Sequence, residues 1–246
     1  MSEFATRRVA IVAALEREVR PLVKHWRVRE GEYGGRIFRF FEDDDVVLVC
    51  GGIGVEAARR ASEAVISLYR PELILSAGFA GALHAELSIG DVFQPRRVVN
   101  AGDGSCVNLG RGEGVLVTFG SVASPEQKAK LRESFAAQAV DMEASAVARA
   151  AEARNVKFAA VKAISDELDF SFPEMEKFID ADGRFSEMRF AAFVAVRPWL
   201  WWSTFQLARN GSRAATALCA WLRQNAGQFA HQSERSDLHQ FEAAKQ

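Results

Sequence analysis

Cysteine is scarce in this chain: Cys50, Cys106 and Cys219 are the only three in 246 residues. They are too few and too scattered for a disulfide framework or a zinc site, which points to a reducing, cytoplasmic setting. An excess of one charge is missing as well. The 31 basic side chains against 32 acidic ones leave a net charge of −1, without the basic surplus that nucleic-acid binding usually needs. No uncharged stretch reaches the ~18–20 apolar residues of a membrane span. Residues 191–207 come nearest, and Arg197-Pro198 cuts them in the middle. Residues 1–8 are polar and the first apolar run, from Val9 to Leu15, stops at Glu16, so no signal peptide is expected. No linker and no internal repeat divides the chain.

What is present is unevenly spread. Six arginines between Arg184 and Arg223 face one acid, Glu187, a local charge of +5 that leaves −6 for the rest. Trp199, Trp201 and Trp202, three of the five tryptophans, fall in the same segment. Elsewhere short β-branched or apolar runs bounded by Gly, Pro or Asp alternate with alanine-rich amphipathic stretches. Strands are expected at 9–14, 35–41, 46–50, 73–77, 91–99, 114–118 and 158–164. Helices are expected at 16–25, 55–69, 126–136, 142–155, 172–179, 185–196 and from 199 to about 225. Pro71 ends one helix and Pro125 starts another. The alternation predicts an α/β fold, a three-layer αβα sandwich around a mixed, mostly parallel sheet. Residues 1–226 are expected to form one domain, with 185–225 as an aromatic, basic helical extension. The polar residues 227–246 are expected to be a disordered tail.

Four segments carry candidate chemistry. Gly51-Gly52-Ile53-Gly54 follows a strand and precedes a helix, so it is either a plain tight turn or a place where N–H groups meet an anion. Gly78-Phe79-Ala80-Gly81-Ala82-Leu83 follows the next strand and is expected to be a second small-residue turn at the same sheet edge. In Val140-Asp141-Met142-Glu143-Ala144, the acids either complement a helix dipole or offer a carboxylate that accepts two hydrogen bonds from paired sugar hydroxyls. Ile164-Ser165-Asp166-Glu167-Leu168-Asp169 ends an apolar strand. Asp166 there is either a cap or turn residue, or an acid whose pKa partial burial raises, able to protonate a leaving group.

In this order the segments resemble the nucleoside phosphorylase and methylthioadenosine/adenosylhomocysteine nucleosidase family. Ala14-Leu15-Glu16-Arg17-Glu18 and Gly90-Asp91-Val92 add to the likeness, which spans residues 9–180. The resemblance implies cleavage of the N-glycosidic bond of a purine nucleoside, without cofactor or metal, by a homodimer. It places Asp166 at purine N7 as proton donor with Ser165 holding it, Glu143 on the ribose hydroxyls, Met142 under the ring and Glu18 on the attacking water. Asp141, Gly54, Phe79, Ala80, Gly81, Val122 and Ala123 complete the implied substrate site. Acid at the nucleophile's position favours water over phosphate, although Arg17, Arg20, Arg36 and Arg39 supply cations for a phosphate co-substrate. The family's base-stacking Phe has no counterpart at Val122-Ala123, so adenine as the base is not assured.

The tail has two readings. Its indoles and arginines suit a helix with a dimer surface, or an interfacial membrane helix at 197–209 on the inner membrane. Together with the short 100–113 segment and the 78–83 motif it resembles the hopanoid-associated subgroup of the family. That subgroup's activity is release of adenine from adenosylhopane, a nucleoside with a lipid 5′ group. The alternatives are a soluble methylthioadenosine/adenosylhomocysteine nucleosidase, a phosphate-dependent purine nucleoside phosphorylase, and a non-catalytic nucleoside-binding or membrane-attached protein.

Overall fold

Strand β1 (Val9–Ala13) is buried along its whole length, and its side chains alternate between two apolar cores, as a pleated strand requires. Val9, Ile11 and Ala13 join Val19, Leu22, Leu75, Val161, Leu218 and Leu222 on one face. Ala10 and Val12 join Ala58, Ala61, Val65, Ile74, Val147 and Ala151 on the other. The first face is covered by α1 (Glu16–Val23) and α6 (Trp201–Ala243), the second by α2 (Val55–Tyr69) and α4 (Ala144–Ala153). The result is the expected three-layer α/β sandwich. The computed structural model describes residue 4 and residues 7–170, 175–180 and 182–243, with backbone only for 176 and 226–243.

Among the described residues the sheet has eleven strands. At its centre β1 lies parallel between β4 (Val46–Cys50) and β5 (Leu73–Ala82). Strand β5 divides the sheet. Its first part pairs with β1, and its far side pairs in parallel with β11 (Lys157–Asp166). Its last residues, Gly81 and Ala82, leave to pair with β10 (Ala139–Asp141). Beyond β10 the sheet continues through β9 (Val115–Thr118), β7 (Arg97–Asn100) and β8 (Cys106–Asn108). Antiparallel pairs are β10 with β5 at the division and, towards the margins, β2 (Arg27–Tyr33) with β3 (Arg36–Asp43), β3 with β4, β7 with β8, and β6 (Val92–Phe93) with β11. The carboxyl ends of β1, β5 and β11 meet where the sheet divides, the usual place for a ligand site in such sheets.

Several expectations need correction. Residues 78–82 are not a turn but the second half of β5, because a strand buried between two neighbours continues through small residues that would otherwise suit a turn. The run 91–99 is two strands, broken at Gln94-Pro95-Arg96, since proline cannot donate to the ladder. β2, β8 and β10 were not expected. β2 is an edge strand with four charged residues among its seven, and β10 has only three residues. Of the expected helix 172–179, residues 172–174 lie outside the described residues and Met175–Phe178 form a 3-10 turn. Helix α3 (Pro125–Phe135) begins as its sequence announces, with Pro125 in the first turn and a capping box between Ser124 and Gln127.

After β11 the chain forms α5 (Glu187–Ala195), a 3-10 turn at Pro198–Leu200, and α6. Val194 and Leu200 collect Phe170, Met175, Phe190, Phe193 and Leu207 into a small cluster separate from the sheet cores. Helix α6 continues to Ala243, through most of the polar stretch for which the sequence suggests no order.

Candidate functional site

Two groups of charged side chains lie along the line where the sheet divides. The first begins on α1. Its opening turn follows β1 directly and turns Glu18 back over the sheet, so that the side chain is buried. Glu18 Oε2 has no hydrogen-bond partner and rests over Gly78 of β5. A methyl group at Gly78 would lie 2.9 Å from that oxygen, which explains why β5 carries glycine here. In the register of the sheet Lys162 of β11 pairs with Gly78.

Lys162 is the hub of this group. Its ammonium lies 2.8 Å from Asp141 Oδ2, with both side chains almost fully buried. Asp141 also accepts from Thr118 Oγ1 at 2.7 Å and from the Ala144 amide at 2.8 Å, which fixes the start of α4. Glu143, two residues on, accepts from the amides of Gly54 (2.9 Å) and Met142 (3.3 Å). The glycine turn before α2 therefore does meet an anion, and that anion is the chain's own Glu143.

Three carboxyl groups and one ammonium share this buried space, and the charges do not balance. Burial, followed by repulsion from Glu143, pushes Glu18 up to about 8 against the opposing pull of Lys162. Burial also raises Glu143 to about 7, with Lys162 opposing and Asp141 adding to the rise. For Lys162 burial works against the charged form, but Asp141 and then Glu143 outweigh it and raise the ammonium above its ordinary value. The site thus holds proton-accepting carboxyls near neutrality, the tuning that acid-base chemistry requires.

The second group sits at the end of β11, past a register shift at Ser165. Asp166 Oδ1 accepts from Ser165 Oγ at 2.8 Å. Its other oxygen, Oδ2, lies 2.5 Å from Lys128 Nζ and would lie 2.6 Å from a methyl group at Gly81. Lys128 is buried and also donates to the Glu167 carbonyl at 2.6 Å. Asp166 is partly buried, with about a quarter of its side chain exposed, and its described partners are the Lys128 ammonium and the Ser165 hydroxyl.

Most of the residues expected from the sequence converge here. Glu18, Gly54, Asp141 and Glu143 belong to the first group and Ser165 and Asp166 to the second. Phe79, Ala80 and Gly81 lie on β5 opposite Ala163, Ile164 and Asp166. Met142 is half-buried between the two acids. Val122 and Ala123 occupy the loop between β9 and α3: Val122 is exposed, and Ala123 packs near Leu131. That loop is tied to the site at its start, where the Phe119 amide donates to the Asp141 carbonyl at 2.8 Å.

Sequence reasoning missed Lys128 and Lys162. A lysine inside an otherwise apolar strand was a signal for Lys162, since a buried ammonium requires acids around it. Lys128 has no such signal. The cations considered for phosphate are differently engaged: Arg36 faces Asp182 at 3.9 Å, Arg39 pairs with Glu16 at 3.3 Å, and Arg17 lies over the Phe185 ring. Arg20 is on the exposed side of α1.

Known proteins match this chain along most of its length. The Phosphorylase superfamily profile covers residues 8–116 and 107–195. A 5′-methylthioadenosine/S-adenosylhomocysteine nucleosidase of Staphylococcus aureus is 27% identical over 229 residues, which take in 76% of this chain and 99% of that protein. Among solved structures, the nucleosidase of the same name from Helicobacter pylori superposes with a TM-score of 0.68 at 18% identity, over 91% of this chain and 99% of that one. Futalosine hydrolase of Helicobacter pylori gives 0.63 at 20% identity, over 89% and 98%. At such identities the structural likeness is one of fold.

Proposed function

Because this chain belongs to the phosphorylase superfamily, we propose that it is a nucleosidase that uses water to cleave the N-glycosidic bond of a 5′-modified purine nucleoside. The observation that carries this reading is the pair of carboxyl groups seated over β5, Glu18 at Gly78 and Asp166 at Gly81, with Glu143 held beside the first. In the proposed reaction water attacks the anomeric carbon, and the electron pair of the breaking carbon–nitrogen bond leaves with the base. Glu18 takes the proton from the water and Asp166 supplies one to the departing base. Glu143 accepts hydrogen bonds from the two ribose hydroxyls, and Lys162 offsets negative charge that would otherwise accumulate among the buried acids.

One feature supports water rather than phosphate. The group at the proposed nucleophile is a carboxyl, which can take a proton from water and, once ionised, repels an anion. Arg39 is paired with Glu16, while Arg36 reaches Asp182 only at 3.9 Å. The resemblance to the hopanoid-associated subgroup supports adenine as the base and a lipid 5′ group, as in adenosylhopane, with the enzyme acting as a homodimer. Incubation with a panel of 5′-substituted adenosines, with and without phosphate, tests the reading by assay of free base. Adenine release that ignores phosphate supports it. Strict dependence on phosphate overturns the hydrolytic step, and no base from any member of the panel overturns the substrate class.

A further inference from the structure

The nucleosidase reading leaves one surface unexplained. Trp199 is 72% exposed, Trp202 68% and Phe205 58%, and Met188, Val196 and Trp201 are exposed beside them. Isolated exposed apolar residues are ordinary, but large side chains grouped in one segment mark an interaction surface. These side chains are held in place. Trp202 stacks on Phe205 with ring centroids 6.0 Å apart, and Trp201 Nε1 donates to the Val194 carbonyl at 3.1 Å. The Arg197 guanidinium lies 3.8 Å from the Phe193 ring centroid and donates to the Phe193 carbonyl.

Helical spacing extends the surface along α6. Trp202, Phe205, Arg209 and Arg213 are three or four residues apart and all exposed, while Asn210, Ala214, Leu218 and Leu222 on the opposite face are buried. The charge pattern is one-sided. From residue 188 to 225 there is no acid and no lysine, but there are five arginines. An aromatic front with arginines on the same line, in a stretch that itself contains no acid and meets Glu167 only in the cleft beside Arg209 and Arg213, complements an extended anionic surface. Indoles prefer the headgroup level, and guanidinium groups find phosphates there. No helix among the described residues is long and apolar enough to cross a membrane.

We propose that the face formed by Trp199, Trp202, Phe205, Arg197, Arg209 and Arg213 docks on the surface of an anionic lipid bilayer. A cleft of about 220 Å³, lined in part by Glu167, Phe170, Gln206, Arg209 and Arg213, opens beside this face, and Glu167 in its lining directly follows Asp166 in the chain. Docking therefore brings the cleft to the lipid. The inference does not depend on the nucleosidase reading, because lipid binding is measured without turnover.

The test is sedimentation of the full chain with vesicles of phosphatidylcholine alone or mixed with phosphatidylglycerol, followed also by tryptophan emission. The wild type is expected to pellet with the anionic vesicles and to shift its emission to the blue, with binding weakened by salt. Trp199→Ser/Trp202→Ser/Phe205→Ser is expected to lose about tenfold in partitioning. Arg197→Gln/Arg209→Gln/Arg213→Gln is expected to lose about fivefold per arginine and the preference for anionic vesicles. Both variants are compared with the wild type by circular dichroism, and a single substitution, Arg209→Gln, repeats the comparison if either is unfolded. Equal pelleting of wild type and folded variants overturns the proposal. So does a lipid-free dimer that the aromatic variant abolishes in the absence of any vesicle binding, since the face is then an interface between copies of the chain.

Discussion

The ammonium of Lys128 lies 2.5 Å from Asp166 Oδ2, joining helix α3 to the end of strand β11 at the group assigned to protonate the leaving base. Ser165 holds the other carboxylate oxygen. Asp166 thus approaches a substrate in one fixed orientation, held from one side by the buried Lys128 and from the other by Ser165.

Asp166→Asn keeps the shape of the side chain and removes the transferable proton. Turnover is expected to fall by about 10²–10⁴-fold while binding of an unreactive nucleoside analogue persists, as measured by calorimetry. Lys128→Met leaves Asp166 in place but without its partner. Its kcat is expected to fall with KM little changed, and the pH profile of kcat to shift relative to wild type. A profile that superimposes on the wild type would remove Lys128 from this positioning role.

The raised values of Glu18 and Glu143 set a pH dependence. Glu18 must be ionised to take the proton from water, and Glu143 to accept from two sugar hydroxyls with both its oxygens, so kcat/KM of the wild type is expected to rise with pH through about 7 to 8. Stability moves the other way. Each carboxyl binds its proton more tightly in the folded chain than at the ordinary value of 4.5. Their contribution is therefore complete below that value and is lost as pH rises through about 7 and about 8. Thermal melting from pH 5 to 9 checks this, with Glu18→Gln expected to flatten the decline because its side chain no longer ionises.

Gly78→Ala and Gly81→Ala probe the seats beneath the two carboxyl groups. The added methyl would lie 2.9 Å from Glu18 Oε2 in the first variant and 2.6 Å from Asp166 Oδ2 in the second. Each is expected to cost about 1–3 kcal/mol of stability, as overpacking of a filled interior does. Each should also lower kcat more than it raises KM. Urea unfolding and steady-state kinetics measure the two effects on the same preparations.

Lys162→Met removes the one cation of the first group. Breaking a buried ion pair from one side costs about 3–5 kcal/mol, reduced here to the extent that Asp141 and its neighbours take up protons. The variant is expected to be less stable than wild type at pH 8 and closer to it at pH 5, because low pH neutralises the acids left behind. Urea unfolding at the two pH values decides it.

Much of this architecture was legible in the sequence because it rests on local signals. The apolar runs of β1, β4 and β11, the alanine-rich face of α2 and the Ser124-Pro125 helix start all appear where short-range chemistry places them. The acids Glu18, Glu143 and Asp166 were legible through motifs. Other features depend on partners far away in the chain. The glycines at 78 and 81 suit a turn until Glu18 and Asp166 are seen to need the space above them. β10 has three residues and gains strand character only between β5 and β9. Lys128 sits on an ordinary capped helix, and nothing near it in sequence announces Asp166 as its partner.

The most direct test of the proposed reaction is turnover of a 5′-modified adenosine in ¹⁸O-labelled water with phosphate present. Hydrolysis predicts free base together with a sugar that carries the label at its anomeric oxygen, and Asp166→Asn should yield neither at a comparable rate. An unlabelled sugar 1-phosphate, or no free base from the wild type, would contradict the account.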